Sequence, residues 1–125
     1  MESTTVINII LYVLLGWFLF TRFAPVRGLI NLTEQEFASH LSKGVLLDVR
    51  EPHEFQGGYI QGAKNIPLSQ LKARIGEIPK ERPVLLYCRS GMRSKQAAKV
   101  LAKSGYSDLA HLKGGMMAWK GKTRK

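Results

Sequence analysis

The chain has 125 residues, enough for one domain once a long uncharged N-terminal stretch is set aside. Its single cysteine excludes an internal disulfide, which favours a compartment where thiols stay reduced. The formal net charge of +10 is concentrated in residues 88–125, which carry ten basic side chains and one acidic one. A solvated basic face, an anionic substrate, anionic lipid or RNA would each fit this charge, but no aromatic-rich basic pattern favours RNA.

The N-terminal segment has the length and composition of a membrane span. Residues 3–21 contain no charged side chain, and the stretch from Val6 to Phe20 is almost continuously apolar. Nineteen residues at about 1.5 Å each make roughly 28 Å of helix, close to the hydrocarbon thickness of a bilayer. We predict a transmembrane helix over residues 1–23 that contacts lipid through residues 3–21. A cleaved signal peptide and a buried core helix are the alternatives, although a signal peptide normally begins with basic residues.

Positive charge follows the apolar segment and does not precede it. Arg22 and Arg27 come shortly after the segment, and no Lys or Arg comes before it. By the positive-inside rule, this asymmetry predicts a single-pass protein of the cell membrane, with its N-terminus outside and its C-terminal domain in the cytoplasm. Residues 24–32, which include Pro25, are predicted to form a short linker that keeps the domain near the membrane.

Short apolar strands alternate with helical patterns through the rest of the chain. A Thr-x-x-Glu capping box at Thr33 and Glu36 opens the first helix of this part. Helical spacing predicts helices over residues 33–42, 68–78 and 94–104, the second of them capped by Ser69. Buried or extended strands are predicted over residues 45–49, 63–67, 83–87 and 108–112. The alternation predicts an α/β domain with a mainly parallel central sheet.

Cys88 lies between an apolar strand and a helical pattern. Residues 88–93 would then form a loop at the carboxyl end of the strand, where α/β sheets commonly bind ligands. Converging backbone N–H groups, the helix N-terminus, and the charges of Arg89 and Arg93 would attract an anion there. Gly91 allows backbone conformations that a side chain would forbid. A thiol in these surroundings is favoured as its nucleophilic thiolate; the alternative is a cysteine buried as a small apolar side chain.

Three segments resemble the signatures of single-domain rhodaneses, a family of sulfurtransferases: LLDVREPHEFQGGYIQGAKNIPL (46–68), LLYCRSGMRS (85–94) and LKGGMMAWK (112–120). The resemblance implies a rhodanese-like domain over residues 33–120, followed by a basic tail over 121–125. It implies a five-stranded mainly parallel sheet flanked by helices. It also implies that the protein takes a sulfane sulfur from thiosulfate or a related persulfide donor and passes it to a thiol acceptor or a sulfur-relay protein. The family needs no metal and no organic cofactor for this reaction.

The same resemblance assigns the residues of the active-site loop. Cys88 matches the catalytic cysteine, which carries the sulfur as a persulfide. The residues that would bind the substrate are Arg89, Ser90, Gly91, Met92, Arg93 and Ser94. Arg93, with Arg89 as a second candidate, would hold the sulfonate end of thiosulfate. The loop N–H groups would stabilise the persulfide anion without a general base.

Four residues outside the loop have a predicted relation to it. Asp48 and Arg50, at the end of their strand, would bond to the loop and support it, unless Arg50 pairs with Glu54 instead. His111 is predicted to be a sheet-edge residue near the site and not a metal ligand. Tyr59 stands where many members of the family have histidine.

Two other functions remain open at this point. A non-catalytic module could use the same fold to bind a membrane partner, although the intact Cys88 and its loop argue against it. A phosphatase or arsenate reductase would also use a cysteine and an arginine in a loop that caps a helix. Those enzymes have Cys-x5-Arg, whereas the residue six positions after Cys88 is Ser94.

Overall fold

The computed structural model describes residues 2–23, 26 and 28–125, without the side chains of Arg22 and Phe23. Ala24, Pro25 and Arg27 lie outside the described residues. The charge asymmetry that depends on Arg22 and Arg27 is therefore known from the sequence alone. Of the predicted linker over residues 24–32, the segment Leu29–Leu32 is not a linker but a strand of the central sheet, paired with Leu109–Leu112.

Helix α1 covers Ser3–Phe23. Its segment Ser3–Thr21 has a mean hydropathy of 1.9, and none of it is buried against the rest of the described chain. This exposure contradicts the alternative of a buried core helix. By length and composition it is the one helix in the described part of the chain that could cross a bilayer, a property that signal sequences share. The end of α1 contacts the domain where Lys99 Nζ donates to Thr21 O at 3.0 Å.

Five strands form one sheet in which every neighbouring pair is parallel. They are β1 Leu29–Leu32, β2 Val45–Asp48, β4 Lys64–Asn65, β5 Val84–Tyr87 and β6 Leu109–Leu112, in the spatial order β1-β6-β5-β2-β4. Helices α2 Glu34–His40, α3 Pro52–Gln56 and α4 Met92–Lys103 complete the α/β domain. The predicted fold class is confirmed.

A second, two-stranded pairing involves the C-terminal tail. β3 (Tyr59–Ile60) pairs antiparallel with β7 (Thr123–Arg124). The tail is exposed to solvent, and this pairing attaches it to β3.

The capping box that opens α2 is confirmed. Glu36 N–H donates to Thr33 Oγ1 at 3.3 Å, and Thr33 N–H donates to Glu36 Oε1 at 3.0 Å. Helix α4 begins at Met92, two residues before the predicted start, because Gly91 takes the N-cap position with φ 115°. Met92 and Arg93 therefore belong to the first helical turn and not to an open loop.

The predicted helix over residues 68–78 is wrong. The structure has two 3₁₀ turns instead, Leu68–Gln70 and Ile75–Glu77, and Ser69 lies inside the first of them. The Tyr106 hydroxyl donates to the carbonyls of Ile75 and Ile78, which attaches the end of this segment to a distant part of the chain. Gly76 disfavours a helix interior, and Pro79 disfavours helical backbone at the residue before it. Spacing alone therefore overestimated the helix.

The sheet has an apolar cluster on each face, as the alternation of side chains along a strand requires. On the α4 face, Leu47 and Leu86 pack with Ala97 and Leu101. On the opposite face, other strand residues pack around Phe37 of α2. Cys88 belongs to the α4-side cluster, which puts the only cysteine beneath the N-terminus of that helix.

Candidate active site

Cys88 directly follows β5 and is only 1% exposed. Gly91 N–H donates to Cys88 Sγ at 3.0 Å, and Ser94 Oγ lies 3.6 Å from the same sulfur. Gly91 has a positive φ of 115°, which strongly favours glycine, and at this residue the chain turns from the loop into α4. The predicted loop therefore gives the sulfur one backbone donor and one hydroxyl neighbour, at the positive end of a twelve-residue helix.

The third sequence signature holds the loop in place from outside. Met116 N–H donates to Cys88 O at 2.8 Å, and Met117 N–H donates to Arg89 O at 3.1 Å. These bonds need a close approach of the two backbones at Gly115. A Cβ there would lie 2.5 Å from both Cys88 O and Arg89 O, a separation that real Cβ atoms do not reach. The glycine therefore allows the segment to dock against the loop.

Arg93 is paired with a carboxylate of α3. Its guanidinium makes two bonds to Glu54, at 2.5 Å and 2.9 Å, and both side chains are partly buried. The bond from Arg93 lowers the pKa of Glu54 to about 2, and the bond to Glu54 raises the pKa of Arg93. The sequence interpretation missed this pair, since the two residues are 39 positions apart. The alternative pairing of Glu54 with Arg50 is not what the structure has.

Asp48 and Arg50 bond to each other and not to the cysteine loop. Arg50 Nη2 donates to Asp48 Oδ2 and to Gly58 O, both at 2.7 Å, and both side chains are buried. The Arg50 guanidinium also lies 5.6 Å from the centre of the Tyr87 ring. The pair thus fixes the end of β2 to the backbone near β3. Support of the loop by Asp48 and Arg50 is indirect at most in this structure, through neighbouring elements.

A cleft of about 490 Å³ opens beside the loop. Its lining includes Glu54, Arg89, Met116, Met117 and the tail residue Lys125, but among the described residues Cys88 is not part of the lining. Arg89 is exposed, and within the described part of the chain it makes no ion pair. The cleft therefore has cationic and thioether groups at its surface, next to the buried sulfur.

The predicted site residues separate into three places. Gly91 and Ser94 contact the sulfur, Arg89 lies at the cleft, and Arg93 is bonded to Glu54. Ser90 and Met92 are exposed. Tyr59 stacks on Phe55, with ring centres 4.0 Å apart.

Residues 33–122 match the family described as the rhodanese-like domain. The chain belongs to this family. It is 52% identical over 94 residues to the uncharacterized protein YqhL of Bacillus subtilis, a match that covers 75% of each chain. It is 44% identical over 75 residues to a sulfurtransferase of Allochromatium vinosum, covering 60% of this chain and 70% of the relative. A rhodanese-related protein from Thermoplasma volcanium has a similar crystal structure, with a TM-score of 0.68 and 27% identity over 72% of this chain and 89% of that one.

Membership of the rhodanese-like family, together with a relative named sulfurtransferase, supports sulfur transfer as the general activity. Among the described residues, no group of three or more His, Cys, Asp or Glu side chains is arranged to hold a metal ion.

The prediction for His111 is wrong in one respect. Its strand β6 lies between β1 and β5, so His111 is not at an edge, and it is only 5% exposed. Its Nδ1 lies 2.8 Å from Ser94 Oγ, and its Nε2 bonds to Asn31 Oδ1. The signal in the sequence was a single polar residue in the otherwise apolar strand LAHL, but nothing in the sequence identified its neighbours.

Proposed function

We propose that this rhodanese is a membrane-anchored sulfurtransferase that carries sulfur as a persulfide on Cys88. The observation that carries the proposal is the contact of Gly91 N–H with Cys88 Sγ at the N-terminus of α4. A backbone donor and a helix N-terminus both favour negative charge, and the reaction requires negative charge on this sulfur and on the sulfur attached to it. Thiosulfate or a related sulfane donor, and a thiol acceptor or sulfur-relay protein, are the proposed substrates.

The proposed reaction has two steps that balance without a cofactor. The Cys88 thiolate attacks the outer sulfur of thiosulfate, the S–S bond of thiosulfate breaks, and its electron pair leaves with sulfite. The outer sulfur remains on Cys88 as a persulfide anion. An acceptor thiol then takes that sulfur and becomes a persulfide, and the electron pair of the broken bond returns to Cys88 as a thiolate.

The positive groups at the cleft support an anionic donor. Arg89 is exposed at the cleft, and Lys125 of the paired tail lies on the same cleft. Arg93 was predicted to hold the sulfonate, but its guanidinium is engaged by Glu54. We therefore assign the first contact with the sulfonate to Arg89, with Arg93 contributing charge at longer range.

Intact mass spectrometry of the full chain tests the chemistry directly. After exposure to thiosulfate and removal of excess reagent, the protein should gain the mass of one sulfur atom, and a reducing thiol should remove it. Because Cys88 is the only cysteine, the gain has one possible thiol site. The Cys88→Ser variant is the control and should gain nothing. A native chain that stays unmodified by thiosulfate and by a small persulfide donor would overturn the proposal.

Helix α1 supports attachment to a membrane. Its apolar residues are unburied, and the first basic residues, Arg22 and Arg27, come at and just after its C-terminal end, which favours a cytoplasmic position for the rhodanese domain. A single unpaired cysteine as catalyst is also suited to a reducing compartment. The proposed location is thus the cytoplasmic face of the cell membrane.

Fractionation and a reporter test this location. The protein should stay in the membrane pellet after an alkaline carbonate wash, and a reporter active only in the cytoplasm should be active when fused after Lys125. Release by carbonate, or a chain shortened near Ala24, would indicate a cleaved signal and an exported domain. An inactive reporter on a retained chain would reverse the proposed orientation.

A further inference from the structure

A chain of neutral polar side chains leads away from the sulfur on the side opposite the cleft. It runs from Cys88 Sγ to Ser94 Oγ at 3.6 Å, from Ser94 Oγ to His111 Nδ1 at 2.8 Å, and from His111 Nε2 to Asn31 Oδ1. Cys88, Ser94 and His111 are buried, and Asn31 is exposed on β1. Asn31 and His111 are direct partners in the register of β1 and β6, so the backbone fixes this arrangement.

The acceptor at the end of the chain determines the direction of every hydrogen bond. Asn31 Oδ1 only accepts, so His111 Nε2 carries a proton and Nδ1 of the neutral ring has a free lone pair. Ser94 Oγ–H therefore donates to Nδ1. Gly91 O, a second acceptor for this hydroxyl, is farther away at 3.1 Å than Nδ1 at 2.8 Å, and it also receives a bond from Lys95 N–H. The Ser94 oxygen is then left to accept from the thiol of Cys88.

We propose that Ser94, His111 and Asn31 form a relay that removes the thiol proton of Cys88. The Sγ–H bond breaks and its electron pair stays on Sγ, while the proton passes to Ser94 Oγ and the proton of Ser94 passes to His111 Nδ1. The products are a Cys88 thiolate and a His111 imidazolium, so the step needs no co-reactant. Ser94 contacts the reacting sulfur, and His111 and Asn31 act through it as positioning residues. The relay rests on the proposed function in one respect, because it requires that Cys88 reacts as a thiolate. It replaces the expectation that the site works without a general base.

The surroundings of His111 are consistent with a neutral ring at rest. The titratable groups that face it are Lys95 of α4 and Cys88 at the end of β5, whereas β1 contributes the neutral amide of Asn31. Burial, and to a smaller extent the charge of Lys95, lowers the pKa of His111. The ring therefore keeps its Nδ1 lone pair near neutral pH, and the thiolate that forms is connected to it through Ser94.

Alkylation of Cys88 by iodoacetamide tests the relay, because the rate follows the thiolate and the chain has no second cysteine. The rate is measured against pH in the full-length protein. His111→Gln keeps one acceptor and one donor but binds no proton near neutral pH. We expect it to move the midpoint of the profile up by about one pH unit, which lowers the rate about tenfold below both midpoints. His40→Gln on α2, distant from the sulfur, is the matched control and should leave the profile unchanged.

Asn31→Asp should shift the midpoint of the alkylation profile in the opposite direction. Asn31 is exposed, so this substitution should not affect folding. A carboxylate at this position stabilises the imidazolium, so the midpoint should move down and alkylation below the native midpoint should become faster. A purely structural hydrogen bond would not predict opposite shifts for the two variants. Profiles of His111→Gln and Asn31→Asp that both coincide with the native profile would overturn the relay. If those profiles shift but thiosulfate adds no sulfur, the relay stands and the proposed function fails.

Discussion

The two sides of Cys88 are built from different kinds of groups. On the cleft side lie Arg89 and the Arg93–Glu54 pair, which are charged and partly or fully exposed. On the inner side lie Ser94 and His111, which are buried and bonded to each other as neutral groups. Burying a charge costs far more free energy than burying a neutral group that is hydrogen-bonded. Of the groups named here, those with a permanent charge therefore lie where water reaches them, whereas the buried charges of Asp48 and Arg50 are paired with each other.

This difference suggests a division of tasks around one sulfur. Charges on the cleft side act at longer range, and can attract an anionic donor before it reaches the buried thiol. Neutral groups on the inner side act only in contact, and can adjust the protonation of the thiol itself. Substitutions on the cleft side should therefore change substrate affinity, and substitutions on the inner side should change pH dependence.

The largest effect is expected when the sulfur atom of Cys88, which lies between the two sides, is replaced. Cys88→Ser should abolish sulfur transfer from thiosulfate, because an alcohol does not form a persulfide. Serine is slightly smaller, and its oxygen can still accept from Gly91 N–H, so the fold should be retained. Sulfite release measures the activity, and circular dichroism with thermal unfolding is the control. Turnover retained by the variant would falsify the persulfide mechanism.

An insertion should disturb both sides at once. One residue added between Met92 and Arg93 creates Cys-x5-Arg and falls within the first turn of α4. Each helical residue turns by about 100°, so the insertion displaces Ser94 from the sulfur or Arg93 from Glu54. Sulfur transfer should fall at least about tenfold, the loss expected when a catalytic contact of about 1.4 kcal/mol is removed.

The same experiment tests whether loop length selects sulfur over phosphate. A phosphate carries four oxygens around its central atom and needs a wider loop than a single sulfur. Hydrolysis of an aryl phosphate should therefore be undetectable in the native chain, and phosphate and arsenate binding are measured in both proteins. Phosphatase activity in the native chain, or unchanged sulfur transfer in the insertion variant, would contradict selection by loop length.

Single substitutions on the cleft side should have a smaller effect, confined to affinity. Arg89→Ala should raise the KM for thiosulfate about three- to tenfold with little change in kcat, since it removes a charge that contacts the donor but not the reacting sulfur. Arg93→Ala should raise KM less, because Glu54 already engages that guanidinium. Steady-state kinetics at low and high salt measure both effects. A larger effect for Arg93 than for Arg89 would return the sulfonate contact to Arg93, as the family resemblance implies.

The sequence predicted the elements that depend on local pattern. Apolar runs and the Thr33 capping box located the strands β2, β5 and β6 and the helix α2. The apolar run also located Cys88 at the end of its strand, and the resemblance identified it as the catalytic cysteine. These features depend on residues within about four positions of each other, so a local sequence pattern is enough to predict them.

The sequence did not predict contacts between distant residues. Glu54 and Arg93 are 39 positions apart, Asn31 and His111 are 80 apart, and each pair depends on how elements pack. The failed helix over residues 68–78 has a different cause, because Gly76 and Pro79 are local signals that the helical spacing did not take into account. The cysteine and the loop residues that contact its sulfur could thus be found from the sequence, but the partners of Arg93 and Ser94 could not.

The smallest expected effect concerns the stability supplied by the Glu54–Arg93 pair. Arg93 lowers the pKa of Glu54 from its ordinary value of 4.5 to about 2. A lowered carboxyl pKa stabilises the folded state above pH 4.5, and this contribution is lost as pH falls from 4.5 through about 2. Because both side chains retain some exposure to solvent, we expect the pair to contribute only on the order of 1 kcal/mol.

Glu54→Gln is the variant that isolates this contribution. Its free energy of unfolding should be lower than that of the native chain by about 1 kcal/mol near neutral pH, and the difference should shrink toward zero near pH 2. Urea unfolding across this range measures the difference, with Glu77→Gln, at an exposed pair, as the comparison variant. A difference that stays constant, or that grows on acidification, would mean that Glu54 stabilises the fold by packing and not by charge. Packing, and not the charge pair, would then stabilise the cleft side. The difference between the cleft side and the neutral inner side would no longer be explained by electrostatics.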